Sequence, residues 1–259
     1  MATGWAAIRA EWIKLRSVRS TYLIVLSAVG LGLGLGFLDT SSVSHHWATM
    51  TAADRAGFDP VGDSFAGLVF AQLAFGVLGV LAVGTEYGTG LIRTTLTAVP
   101  RRGIVFAAKA FVVGAVSLVL GEALAFGAFL FGQAVLAGSH LNVSLAQPPV
   151  LRAVASAGLY LGVVALVGYG VGAVLRHTAG AVSVMFAVIF LAWPAARALE
   201  SWTYLPDRLL LSNAADVIAQ VNAVAPKPRL PSLRLAYLDL VLYLVAALGL
   251  GAWRTTRDA

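Results

Sequence analysis

Six long apolar runs, separated by short polar segments, are the feature of this sequence that most restricts its fold. They cover about residues 21–38, 64–84, 104–136, 151–175, 178–197 and 235–253. A helix needs about 20 apolar residues to cross the ~30 Å hydrocarbon core of a bilayer. Charged residues make up only 12% of the chain, about half the share of a soluble domain. We therefore predict an all-α, polytopic membrane protein, with one domain over residues 1–259 and six transmembrane helices.

A polar stretch, EYGTGLIRTTLTAVPRR at 86–102, separates the second and third runs. It has too few apolar residues to span and so lies at or outside the membrane surface. Its spacing predicts a short amphipathic helix over 86–99, with Glu86 near the start, where a negative charge suits the helix dipole, and Pro100 at the end. Such a helix between two spans suits the transfer of force from a soluble partner. An ordinary interfacial loop is the alternative.

The first residues, 4–19, combine aromatic and basic side chains at helical spacing before the first span. This pattern is typical of an interfacial helix, in which aromatic rings lie at headgroup depth and basic side chains extend to anionic lipid. No small-residue cleavage site follows clearly, so we expect a retained anchor. The residues of this interfacial helix are Trp5, Arg9, Trp12, Lys14, Arg16 and Arg19.

Two ionisable residues lie inside the third run. Lys109 falls in its first turns, from which we expect the ammonium group to extend to the membrane surface. Glu122 falls near mid-membrane, where an ionisable group costs about 2.5–3.5 kcal/mol on insertion scales. It should therefore face protein or water, as a substrate-pathway residue or as a protonated or hydrogen-bonded core acid.

The segments between the other runs differ in character. We predict a polar loop at 39–63. Its adjacent histidines, His45 and His46, have no third ligand at a suitable spacing, so no metal site is predicted. The 198–234 segment is too polar to span and too apolar for a solvated loop, and it predicts a pair of short helices at the outer leaflet.

The distribution of lysine and arginine predicts the orientation. Ten of these residues lie on the side that holds both termini and the 86–102 stretch, mostly in short segments, against seven on the other side. The positive-inside rule then places both termini in the cytoplasm. The net charge of the chain is +6, and its basic residues cluster beside the spans. Membrane topology therefore explains this charge better than a nucleic-acid partner does.

Sequence motifs for catalysis are absent from the 259 residues. There is no G-x-x-x-x-G-K-[ST], H-E-x-x-H or G-x-S-x-G, and there is no cysteine. We therefore expect a protein that is not an enzyme and binds no cofactor itself. Three functions remain open. The chain is a transport subunit driven by an external energy source, a secondary transporter or channel that uses Glu122, or a non-transporting scaffold or immunity subunit.

Two motifs carry a resemblance to a known family. The chain opens with EWIKLRSVRST at 11–21, and after the second span it has Glu86, Tyr87, Gly90 and Arg93. In order and spacing around six spans, these resemble the permease subunits of type-2 ATP-binding-cassette exporters. Leu91 departs from the threonine often found after the glycine.

The resemblance implies a permease of the bacterial plasma membrane that exports a small amphipathic, antibiotic-like or lipid-like substrate. It implies two copies of a separate ATPase subunit, which hold ATP and Mg²⁺, and a second permease subunit, identical or paralogous. It also implies a set of ATPase-coupling residues, namely Glu86, Tyr87, Gly88, Thr89, Gly90, Arg93, Thr94 and Arg101.

Overall fold

The protein is built from α-helices. A computed structural model describes residues 2–99, 101–199, 203, 208–221 and 231–257, and these ranges contain no strand. Six helical segments within them are long and apolar enough to cross a membrane, as the six apolar runs predicted. The chain is therefore a multi-pass membrane protein.

The helices follow one another in a simple order. They are α1 (Ala2–Ser17), α2 (Arg19–His46), α3 (Ala52–Ala56), α4 (Pro60–Ser64), α5 (Leu68–Thr89), α6 (Leu91–Ala98), α7 (Arg102–Ala137), α8 (Pro148–Leu175), α9 (Thr178–Phe186), α10 (Ala192–Ala198), α11 (Leu211–Ala219) and α12 (Leu233–Arg257). A 3₁₀ turn at Trp47–Thr49 extends α2, and a π turn at Ala187–Leu191 joins α9 to α10. The six spans are α2, α5, α7, α8, the continuous α9–α10 segment and α12.

The first two helices differ from their predicted limits. Val18 has an extended backbone (φ −88°, ψ 118°), so α1 ends at Ser17 and Arg19 begins the first span instead of closing the 4–19 helix. The helix that contains that span also extends beyond residue 38, because α2 continues to His46.

Polar side chains beyond residue 38 find partners that let α2 continue. Thr40 Oγ1 donates a hydrogen bond to Gly36 O (2.7 Å), and the hydroxyls of Ser44 and Ser139 lie 2.6 Å apart. The fall in hydropathy therefore does not end the helix. The predicted 39–63 loop is also largely helical, since α3 and α4 follow.

The core of the bundle is α8, which packs against α5, α7 and α12. Its contact with α5 is unusually close. A Cβ atom added at Gly79 would lie 1.8 Å from Ala165 O, and one added at Gly168 would lie 2.2 Å from Gly76 O. Glycine at these positions lets the two backbones touch.

The glycines of the first span do not all contact protein. A Cβ added at Gly32 or Gly36 would contact Leu124 or Ser64, whereas Gly30 and Gly34 have nothing within 4 Å. Of the two overlapping G-x-x-x-G pairs in this span, the pair Gly32 and Gly36 therefore packs against the bundle.

The segment between the fifth and sixth spans contains α11. Arg152 of α8 holds the end of this helix by donating to Ile218 O (3.0 Å) and Gln220 O (2.5 Å). One of the two predicted short helices is thus described. The rest of that prediction falls on residues 200–202, 204–207 and 222–230, which lie outside the described residues.

Candidate functional site

The polar stretch after the second span is not one helix. The span helix α5 continues through Glu86 to Thr89, and Gly90 then adopts a left-handed backbone (φ 75°) before α6 begins at Leu91. A left-handed glycine ends an α-helix because it turns the chain out of the helical path. The predicted helix over 86–99 is therefore wrong: Glu86 lies in the last turn of α5 and not at a helix start.

Glu86 belongs to a cluster of two carboxylates and two ammonium groups, here called the ion-pair cluster: Glu11, Lys14, Glu86 and Lys109. Lys109 Nζ donates to Glu11 Oε2 (2.5 Å) and to Glu86 Oε1 (2.8 Å). Lys14 Nζ donates to Glu11 Oε1 (2.8 Å) and to Glu86 Oε1 (2.8 Å). Each lysine thus bridges both glutamates, and the formal charges sum to zero.

Three members of the ion-pair cluster are almost fully buried. The exposed fraction is 6% for Glu11, 5% for Glu86 and 4% for Lys109, whereas the side chain of Lys14 is 41% exposed. Buried charges lose their hydration, and only close partners offset that cost. Glu86 also lies at the negative end of the α5 dipole, which adds to its need for the two lysines.

One oxygen of the ion-pair cluster is left over. Glu86 Oε2 is enclosed and has no hydrogen-bond partner within the described part of the chain. At Lys14, partial burial opposes the charge, but the hydrogen bonds and negative charges of Glu11 and Glu86 prevail and raise the pKa of its ammonium group. The ammonium group of Lys14 is therefore positively charged and links the two glutamates.

The ion-pair cluster joins four helices at one end of the bundle. Glu11 and Lys14 come from α1, Glu86 from the last turn of α5 and Lys109 from α7. Lys14 Nζ also donates to Thr95 Oγ1 of α6 (3.3 Å). The short helix after the second span is thus connected to the interior through the lysine of the N-terminal helix.

A second contact holds the same end of α5. The guanidinium carbon of Arg176 lies 5.0 Å from the centre of the Tyr87 ring, and Arg176 Nη2 donates to Arg254 O (3.0 Å). Arg176 occupies the tight turn between the fourth and fifth spans, with φ 54°. Tyr87 is therefore tied to the ends of α8 and α12.

The other predicted coupling residues stay outside these contacts. Gly88, Thr89, Gly90, Thr94 and Arg101 are exposed. Arg93 lies in α6, but its side chain is outside the described residues.

The predicted interfacial residues divide in a similar way. Most are exposed, as expected for the outer face of an interfacial helix: Trp5, Arg9, Trp12, Arg16 and Arg19. Lys14 is instead a member of the ion-pair cluster. The expectation that Lys109 extends to the membrane surface is wrong, because its ammonium group is buried between two carboxylates. Lys14 bonds to the same two carboxylates but stays partly exposed.

Glu122 lies apart from the ion-pair cluster. It is half-buried, and a Cβ atom added at Gly158 of α8 would come within 2.6 Å of its carboxyl carbon. The glycine therefore makes room for the glutamate side chain between α7 and α8. Its role in a pathway stays a prediction.

Sequence reasoning missed three residues of this site: Lys109, which bonds to Glu86, Glu11, which bonds to both lysines, and Thr95, which bonds to Lys14. One signal was present, since two acids and two lysines occur near the same predicted membrane face. The spacing from Glu11 to Lys14 also places them on one helix face. No group of three or more His, Asp or Glu side chains suited to a metal ion occurs among the described residues.

Comparisons with known proteins add no family. No protein-family model matches the chain, and no curated protein is similar to it. The sequence motifs and the geometry of the ion-pair cluster are therefore the features that indicate a function.

Proposed function

We propose that this chain is the membrane-spanning permease subunit of an ATP-driven exporter, and that a separate ATPase subunit acts on it through α6. The observation that carries the proposal is the ion-pair cluster. A push on α6 or α1 reaches the ends of α5 and α7 through charge-assisted hydrogen bonds, which are shorter and stronger than neutral ones. Buried charges that are paired with one another suit a joint that moves as one body.

The exposure of α6 supports the same role. This helix packs mainly on the end of α5. Its Leu91 is 56% exposed, and Thr94 and Thr97 are also exposed. A helix that is open to a partner on one side and linked to three other helices through Lys14 suits the transfer of motion.

The rest of the proposal follows from the family resemblance. The ATPase, present in two copies, holds ATP and Mg²⁺, and a second permease subunit, identical or paralogous, completes the complex. The termini and α6 lie in the cytoplasm of a bacterial cell. The substrate is a small amphipathic, antibiotic-like or lipid-like molecule. ATP-driven closure of the two ATPase subunits shifts the permeases between inward and outward arrangements.

The test isolates the tagged full chain from membranes of its source and labels the preparation with a photoreactive ATP analogue. We expect a labelled ATPase to co-purify and the complex to hydrolyse ATP. Thr94→Glu and Arg93→Glu, both on α6, should reduce the co-purified ATPase at least tenfold. Arg55→Glu, an exposed reversal on α3, is the matched control and should leave it unchanged.

Reconstitution separates the remaining functions. The chain alone in vesicles should move no solute. Nucleotide-independent transport that is sensitive to the proton gradient and lost in Glu122→Gln would instead identify a secondary transporter. ATPase binding without transport would identify a scaffold.

A further inference from the structure

A second site lies near the other end of the spans. A cavity of about 320 Å³ opens between α5, α8, the π turn with α10, and α11. Its lining residue Gln72 precedes Glu86 by 14 positions in α5, which corresponds to roughly 21 Å along the helix axis. The cavity is therefore far from the ion-pair cluster, and its volume falls within the ~300–1,000 Å³ of small-molecule sites.

The walls of this cavity are largely apolar and aromatic. Phe65, Leu68 and Leu161 line one side, and Phe190 and Trp193 line the other. The guanidinium carbon of Arg197 already lies 5.1 Å from the centre of the Trp193 ring. Among the described residues no cation lies over Phe190, whose ring is tilted against those of Phe70 and Phe186, with centroids 6.0 and 5.2 Å away.

The polar groups on the wall formed by α5 and α8 are already occupied. The Tyr160 hydroxyl donates to Gln72 Oε1 in a short hydrogen bond, and Gln72 Nε2 donates to Val69 O (2.8 Å). The hydrogen bonds of these two side chains are thus made within the protein, and neither side chain needs a ligand.

Among the described residues that line the cavity, Asp216 is the charged one. It lies on α11, outside the six spans, and is accessible in the isolated chain. The surrounding protein nevertheless buries part of this side chain, which raises the pKa of its carboxyl group. Within the described residues, no ion pair or hydrogen bond reaches this carboxylate, so its charge lacks a counter-ion.

We propose that the cavity binds a hydrophobic organic cation, with the positive centre against Asp216 and the apolar body against Phe190 and the leucines. A carboxylate with reduced hydration attracts a positive charge more strongly than one in bulk water. An aromatic face adds a cation–π attraction. Strongly hydrated cations stay in water, and organic anions are repelled.

The role of this cavity as the substrate site depends on the proposed export function, whereas binding itself does not. Binding is therefore measured on the full chain without ATPase or nucleotide. A failed coupling test leaves this measurement unaffected, and a failed binding test leaves coupling unaffected.

The test measures equilibrium binding of tetraphenylphosphonium to the full chain in lipid nanodiscs, with empty nanodiscs subtracted. Tetraphenylborate, of similar shape and opposite charge, is the ligand control. We expect saturable binding of the phosphonium ion alone. Asp216→Asn should weaken that binding at least tenfold.

Two further variants keep the test decisive. Asp239→Asn removes one carboxylate from α12 outside the cavity lining and should bind like the wild type. Ala215→Phe fills the cavity from α11 and should abolish saturable binding while the thermal unfolding temperature stays within a few degrees. Equal affinity of wild type and Asp216→Asn, or equal affinity for the borate ion, would overturn the proposal.

Discussion

Lys109 Nζ lies 2.8 Å from Glu86 Oε1, although the two residues are 23 positions apart and belong to consecutive spans. Both side chains are more than nine-tenths buried. The contact therefore fixes the end of α5 against the start of α7 on either side of the α6 helix. A partner that moves α6 therefore acts next to two helix ends that this ion pair holds together.

The first prediction tests this buried pair. Lys109→Met leaves Glu11 and Glu86 with Lys14 as their one cation, which should lower the free energy of unfolding by about 3–5 kcal/mol. The double variant with Glu86→Gln restores a neutral cluster and should recover part of that loss. Chemical unfolding in detergent, arranged as a double-mutant cycle, measures the coupling. Additivity within about 0.5 kcal/mol would contradict it.

Lys14→Met is the matched comparison, since it removes the other lysine. Its side chain is 41% exposed. Water already screens part of its charge, so the loss should be clearly smaller than for Lys109→Met. An equal loss would mean that burial does not decide the strength of these ion pairs.

The spans could be predicted from sequence because hydropathy alone specifies them. All six apolar runs are membrane-length helices. The ends of these helices were harder to predict, because a helix ends where its backbone turns and not where its sequence becomes polar. The helix α2 continues to His46 because its polar side chains find local hydrogen-bond partners. The helix α5 ends after Thr89 because Gly90 adopts a left-handed backbone.

The ion pairs of the cluster were not predicted. Glu86 and Lys14 were identified as residues of interest on separate grounds, and their contact spans 72 positions. Pairing across that distance depends on how α1 packs against α5 and α7. Hydropathy and helical spacing describe one helix at a time, so they cannot supply this packing.

The second prediction concerns Gly90. Its φ of 75° is costly for residues with a Cβ atom, so Gly90→Ala should destabilise the protein by about 1–2 kcal/mol. Gly88→Ala is a matched control, because neither glycine has an atom within 4 Å of an added Cβ and Gly88 is helical. The control should be stabilised by about 0.5–1 kcal/mol. Thermal unfolding temperatures check the opposite signs, and shifts of the same sign would contradict the assigned backbone.

The third prediction concerns the contact between α5 and α8. Gly79→Ala places a methyl group where Ala165 O already lies, so the helices must separate, at a cost of about 1–3 kcal/mol or more. Gly34→Ala makes the same chemical change on α2, where nothing lies within 4 Å. It should leave stability unchanged or slightly higher. Thermal unfolding of the two variants side by side measures the difference, and equal losses would contradict the close packing.

The last prediction uses Asp63, at the end of α4. Burial, with the nearby charges of Asp39 and Asp59, raises the pKa of its carboxyl group from 3.8 to about 6. Between these values the folded protein binds the proton more tightly than the unfolded chain, so this group makes stability fall as pH rises from about 4 to about 6. Asp63→Asn removes the penalty on the charged form. Because Asp63 is partly exposed, solvent screening limits the gain, and we expect an unfolding temperature about 2 °C higher at pH 7.5, with a smaller gain at pH 5. A gain of the same size at both pH values would show that the carboxylate charge is not its cause.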